Sequence, residues 1–166
     1  MELAFTIRPA TPHDVPAILG FIRELADYEN LSHEVTATVD EMRAQLFGPT
    51  PRAEVLIACE NEIPVGLALF FHNFSTFLAK PGLYIEDIFI QPVHRGKGYG
   101  KALMVALARL AIDRGCGRFE WTVLDWNQPS IDFYKSLGAE LKPEWVITRV
   151  AGPALEALAQ LPRLEH

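Results

Sequence analysis

Leu83-Tyr84-Ile85-Glu86-Asp87-Ile88-Phe89-Ile90, Gln91-Pro92-Val93-His94 and Arg95-Gly96-Lys97-Gly98-Tyr99-Gly100 form the continuous stretch on which the fold turns. The first eight residues are rich in aromatic and β-branched side chains. They are bounded by Pro81-Gly82 and Pro92, and read as a strand. The last six place glycine at every second position, with Arg95, Lys97 and the following Lys101 adding positive charge. A helix is predicted from Lys101 to about Arg114, with Leu103, Leu107, Leu110 and Ala111 on one face and Gly115 as its stop. A glycine loop that ends a strand and opens a helix lets backbone approach a ligand closely. The exposed amides and dipole at the helix start then attract phosphate oxygens. The bland alternative is a glycine-rich turn with solvated basic residues.

Two nucleotide patterns fail on spacing. A P-loop needs glycine five positions before Gly100 and Ser or Thr after Lys101, where this chain has Arg95 and Ala102. A dinucleotide fingerprint needs G-x-G-x-x-G, and the spacing here is G-x-G-x-G.

Working outward, Leu3–Arg8 reads as a first strand, and Thr11 caps a helix beginning near Pro12. Thr38 and Glu41 have capping-box spacing for a second helix ending at Phe47-Gly48. Glu54–Cys59 and Val65–Phe71 are expected strands. Arg118–Leu124 is another, and a short helix runs from Pro129 to Leu137, stopped by Gly138. A last strand is expected at Trp145–Val150 and a last helix at Pro153–Leu161. The order β-α-α-β-β-β-α-β-α-β-α combines antiparallel hairpins with one later parallel unit. That is an α+β fold (α/β in some schemes), a mixed sheet with helices on both sides.

The 166 residues are 49% apolar and 22% charged, as in a folded globular domain. Residues 1–163 read as one domain, and Leu164-Glu165-His166 as the start of a vector-encoded tag. No apolar run approaches the roughly 18 residues of a membrane span. The net charge of -6 disfavours nucleic acid and favours small cationic substrates. Cys59 and Cys116 make neither a disulfide framework nor a zinc set, and no basic leader opens the chain, so a reducing cytoplasm is the expected compartment. The histidines lack metal-ligand spacing, and no metal is expected. Cys116 follows Gly115 with no histidine near it in sequence, which argues against an acyl-cysteine route.

The string R-G-x-G-x-G, behind Ile88-x-Ile90-x-Pro92 and ahead of a helix, resembles the acetyl-coenzyme A loop of the Gcn5-related N-acetyltransferases (GNAT). A second match is Asn127 before a helix carrying Phe133-Tyr134-x-x-x-Gly138. Tyr84–Ile90, Asp125-Trp126-Asn127, Ile7–Thr11 and Glu24–Glu29 look like the diamine (spermidine/spermine) branch and its thialysine-acetylating relatives. Leu124-Asp125-Trp126-Asn127 resembles the thialysine side, whereas Pro129-Ser130-Ile131 resembles the polyamine side. The segment between Gly138 and Trp145 is shorter than usual.

The resemblance implies a GNAT fold with a splayed strand pair. It also implies direct transfer of acetyl from acetyl-CoA to a primary amine of a small cationic substrate, either a polyamine or a lysine-like amino acid. An alkylammonium with a pKa of about 10.4 leaves roughly one molecule in 10³ as free amine at pH 7, so about 4–5 kcal/mol of deprotonation must be supplied. The resemblance places a base at Glu86. Alternation puts Glu86 and Asp87 on opposite faces unless a bulge intervenes, and the resemblance implies that bulge. It implies Tyr134 as the proton donor to the leaving thiolate. The implied cofactor contacts are Ile88, Phe89 and Ile90, then Arg95, Gly96, Lys97, Gly98, Tyr99, Gly100 and Lys101, with Asn127, Ser130 and Tyr134. The amine would enter beside Tyr28, Glu29, Glu86 and Asp87, with Glu120, Trp121 and Thr122 opposite. A homodimer is expected. A non-catalytic acetyl-CoA-binding module and a protein-directed acetyltransferase remain the alternatives.

Overall fold

The computed structural model describes residues 4–163; the reading of the last three residues as a tag, and the start of the first strand at Leu3, lie outside them. The chain forms two compact units that meet at Thr122/Val123, taken here in turn.

In the first unit, five strands form one sheet in the order β1-β2-β3-β4-β5. They are β1 (Phe5–Pro9), β2 (Glu54–Glu60), β3 (Ile63–Ser75), β4 (Lys80–Ile90) and β5 (Arg118–Trp121). Neighbours are antiparallel except β4 and β5, which run parallel. The hairpin of β3 and β4 is longer than sequence predicts. Pairing continues from Gly66↔Ile90 out to Ser75↔Lys80, beyond the continuously buried run of residues 65–70 and through residues 71–75, where burial alternates.

Helices α1 (Val15–Tyr28) and α2 (Val39–Phe47) cover one face. Ile18 and Phe21 of α1 and Leu46 of α2 join Ile57, Leu67, Leu69 and Phe89 in a continuous core. The intervening strand residues Ala68 and Phe70 are also buried, and Arg114 lies over the Phe70 ring, 5.9 Å from its centroid. That marks the other face, covered by α3 (Tyr99–Asp113) with Leu103 and Leu107 fully buried.

Local chemistry sets the helix starts. Thr38 Oγ1 accepts from the Glu41 amide at 3.2 Å while Glu41 accepts from the Thr38 amide at 2.9 Å, a closed capping box. At Thr11 the backbone donates to Asp14 at 2.7 Å, and a short 3₁₀ turn at Pro12–Asp14 leads into α1. Arg8 grips Asp14 with two bonds of 2.8 and 2.9 Å, fastening β1 to this helix start.

The predicted strand at Arg118–Leu124 stops three residues early, at Trp121. Its partner β4 bulges just past the last parallel pair, Ile85↔Trp121, so residues beyond have no ladder to join.

The second unit carries α4 (Gln128–Ser136) and α5 (Pro153–Ala159). Asn127 is buried at the N-cap of α4, its side chain accepting from the Ser130 amide at 3.4 Å. The strand expected at Trp145–Val150 is a correction: residues 146–150 have no regular secondary structure and join no ladder. Trp145, Val146 and Ile147 are 80%, 81% and 63% exposed, so the apolar pattern is present without a neighbouring strand to turn it into sheet.

Candidate active site

The site grows from one irregularity in β4. Leu69 pairs with Asp87 and Phe70 with Ile85, so two residues of β4, Glu86 and Ile85 or Asp87, oppose one step of β3. The extra residue is Glu86. Parallel pairing with β5 ends at the same point, and Glu86–Ile90 run on with no strand on their outer side among the described residues. The sheet is thus splayed, with a free backbone edge below the bulge. An extended amide-bearing ligand can add to such an edge through main-chain hydrogen bonds.

The bulge redistributes two neighbouring carboxylates. Glu86 is exposed. Asp87 is only partly accessible and shares its face with Leu69 and the α1 side of the core. Burial, reinforced by the charges of Glu86 and then Glu29, pushes the Asp87 carboxyl up to about 6. Burial also raises Glu29, at the C-terminal end of α1. Of the three carboxylates expected at the amine entrance, Glu86 and Glu29 thus both act electrostatically on Asp87.

The remaining predicted wall is partly engaged. Glu120 accepts from Arg118 Nε at 2.6 Å and from Asn73 Nδ2 at 3.2 Å. Trp121 packs on Phe119 with ring centroids 5.0 Å apart, at the point where the strands part. Thr122 is exposed just past the end of β5. Tyr28 is 42% exposed, but the Arg95 guanidinium sits 5.5 Å from its ring centroid, on the kind of surface that would hold an ammonium.

Below the bulge the chain passes Ile88, Phe89 and Ile90 and enters the glycine loop. Gly96 and Gly98 have φ of 77° and 85°, values that side-chain-bearing residues rarely adopt, so glycine is favoured at both. The helix begins at Tyr99, two residues earlier than predicted, which brings the amides of Gly100 and Lys101 into its first turn. The odd-numbered residues all reach back into the protein. Arg95 donates through Nε to Ile90 O at 2.9 Å and lies 5.4 Å from the Phe89 ring centroid. Lys97 pairs with Glu60 at 2.9 Å, and Tyr99 donates to the same carboxylate at 2.5 Å. The expected phosphate cations Arg95 and Lys97 therefore have protein partners. The backbone amides of Gly96–Gly100 and the exposed Lys101 remain as the loop's donors toward an anion. Glu60 was not singled out by sequence, because nothing local announces that a strand-end glutamate meets a loop nearly 40 residues away.

In the second unit Tyr134 sits on α4, partly buried, with its ring centroid 5.5 Å from that of Phe133. Asn127 caps the helix that carries it, and Ser130 supplies the amide for that cap.

Comparison with known proteins adds identity to this geometry. The acetyltransferase (GNAT) family pattern matches residues 21–139. A thialysine N-epsilon-acetyltransferase from Bos taurus is 38% identical, over 92% of this chain and 96% of its own. An L-ornithine N5-acetyltransferase from Arabidopsis thaliana is 35% identical, over 93% of this chain and 88% of its own. Among solved structures, an integron cassette protein from the mobile metagenome of V. cholerae superimposes with a TM-score of 0.80. It is 29% identical and covers 96% of this chain and 99% of its own.

Proposed function

The chain belongs to the acetyltransferase (GNAT) family, and on that premise we propose that it acetylates the terminal primary amine of a small diamino acid of ornithine or thialysine type. The single observation that carries the reading is the bulge at Glu86 beside the unpaired edge of β4. It gathers Glu86, Asp87 and Glu29 where the sheet splays. Clustered carboxylates attract an alkylammonium, and the two relatives above are named for short amino acids that end in an amine. Polyamine acetylation, which the sequence offers beside a lysine-like amino acid, is the competing outcome of the test.

Acetyl-CoA fits the residues present and would supply the activated thioester. The outer edge of Glu86–Ile90 offers main-chain partners to an extended chain of amides. The loop amides of Gly96–Lys101 would hold the cofactor's phosphate oxygens at the helix start. Asp87 is the proton acceptor in this reading: a carboxyl raised to about 6 is ionised at pH 7 yet more basic than an ordinary aspartate. Glu86, the base expected from sequence, adds negative charge beside it and guides the ammonium inward. Tyr134 Oη is the proton donor to the departing sulfur. Support for that role is the motif from Asn127 to Gly138, which carries a phenolic O–H donor at Tyr134.

The irregular segment with exposed Trp145, Val146 and Ile147, followed by α5 with Leu155 and Leu158 more than half exposed, favours a homodimer in which a second copy covers these residues. Sedimentation is expected to give twice the 18.6 kDa chain mass; a monomer removes this part of the reading.

The test is release of free thiol from acetyl-CoA with ornithine, thialysine, spermidine, putrescine and a lysine peptide, for wild type and Tyr134→Phe. The reading expects the diamino acids to be preferred, with a loss of about tenfold or more in the variant. Preference for spermidine or the peptide overturns the substrate class. An unchanged variant removes Tyr134 from its role.

A further inference from the structure

We infer that Glu60, at the end of β2, is a positioning residue that holds the cofactor-binding loop in its working shape. The inference rests on the acetyl-CoA reading above. In the loop, glycine alternates with anchored side chains, and the glycines at 96 and 98 have positive φ. Such a backbone has many conformations to lose, and ordering it on binding would weaken affinity. The side chains on either side of Gly98 both end on one acceptor. Lys97 Nζ lies 2.9 Å from Glu60 Oε2, and Tyr99 Oη donates to the same oxygen at 2.5 Å. The Tyr99 ring is also stacked on Phe5 of β1, with centroids 4.0 Å apart and planes within 7°. His94 Nδ1 sits 3.5 Å from the same carboxylate. These bonds hold the Glu60 carboxyl below the usual range, Tyr99 contributing first and Lys97 second.

The arrangement has a counterpart at the other end of the same strand. Glu54 opens β2 and binds Arg114, just past α3, with two bonds of 2.6 and 2.9 Å. The two carboxylates of β2 thus fasten both ends of α3. Only the Glu60 end carries the loop that faces the cofactor, so Glu54 provides an internal control for simple attachment of the helix. Because the Lys97 charge is matched by Glu60, the pair shapes the loop's amides rather than adding an uncompensated cation to it.

Acetyl-CoA affinity by calorimetry, alongside steady-state kinetics and thermal unfolding, tests this. Glu60→Ala is expected to raise Kd and KM for acetyl-CoA about tenfold while kcat and KM for the amine stay within about twofold. Glu60→Gln keeps an acceptor for the Tyr99 hydroxyl, remains folded as an isostere, and should lose only about threefold. Adding Tyr99→Phe to Glu60→Ala should cost nothing more, because both remove the same bond. Glu54→Gln should leave acetyl-CoA affinity unchanged. Acetyl-CoA affinity within twofold of wild type in Glu60→Ala overturns the inference. So does tighter binding in Glu60→Gln, which would mean that Glu60 masks Lys97 rather than positioning it. A parallel rise in both KM values with a lowered Tm in Glu60→Gln also overturns it, as a purely structural role. Wild type that binds no acetyl-CoA overturns instead the reading on which the inference rests.

Discussion

Asp87→Asn is expected to make the protein more stable and less active at once. The Asp87 carboxyl moves from 3.8 to about 6 on folding, first through burial, then through Glu86 and Glu29. A shift of that size corresponds to about 3 kcal/mol. The sign follows from proton binding. The folded chain holds this proton more tightly than the unfolded chain, so stability declines as pH rises from about 4 to about 6, and the deficit is complete at pH 7. Asparagine cannot ionise, and urea unfolding of the variant should lack that decline, gaining up to about 3 kcal/mol at pH 7. Activity should move the other way. Wild-type kcat/KM should fall on the acid side with a midpoint near the Asp87 value of about 6. The variant should lose that limb together with about 10²–10⁴ of the rate. Glu86→Gln removes one of the charges that raise Asp87, and should move the limb to lower pH while retaining more activity. An acid limb that persists in Asp87→Asn with its midpoint unmoved, or a variant no more stable at pH 7, would refute the reasoning.

Asp14→Asn should destabilise the fold by roughly 2 kcal/mol at pH 7, because the Arg8 bond holds the Asp14 carboxyl down at about 2. That contribution is present above about pH 4 and is lost as pH falls toward 2, so wild type should show an acid transition by circular dichroism that the variant lacks. Thr38→Ala opens the capping box of α2 and should cost about 1 kcal/mol in denaturant unfolding, with kcat unchanged.

What the sequence makes legible is mostly local. The Thr38–Glu41 box depends on residues three apart and forms as its spacing predicts, while the helix start expected at Thr11 is a 3₁₀ turn with α1 beginning only at Val15. The glycine loop declares itself because positive φ leaves so few residue types. The splay and its bulge were available only through family resemblance, since alternation within β4 does not reveal where the register against β3 slips. Relative burial of Glu86 and Asp87 follows from that slip: the resemblance points to Glu86 as the base, whereas the register leaves Glu86 exposed and Asp87 partly buried. Glu60 and the Arg95–Tyr28 contact join residues far apart in the chain, and composition carries no signal for either. Trp145–Val150 has the residues of a strand. Pairing depends on a neighbour as well as on propensity, and the segment has none among the described residues of one chain.

The central claim is direct acetyl transfer from acetyl-CoA to the terminal amine of a small diamino acid. It is tested most directly by incubating the protein with carbonyl-labelled acetyl-CoA and ornithine and locating the label by NMR. The account predicts one labelled acetyl group, on the side-chain nitrogen, formed at the rate of thiol release. Label on the α-amine, label retained on the protein, or thiol release without an acetylated amine would contradict it.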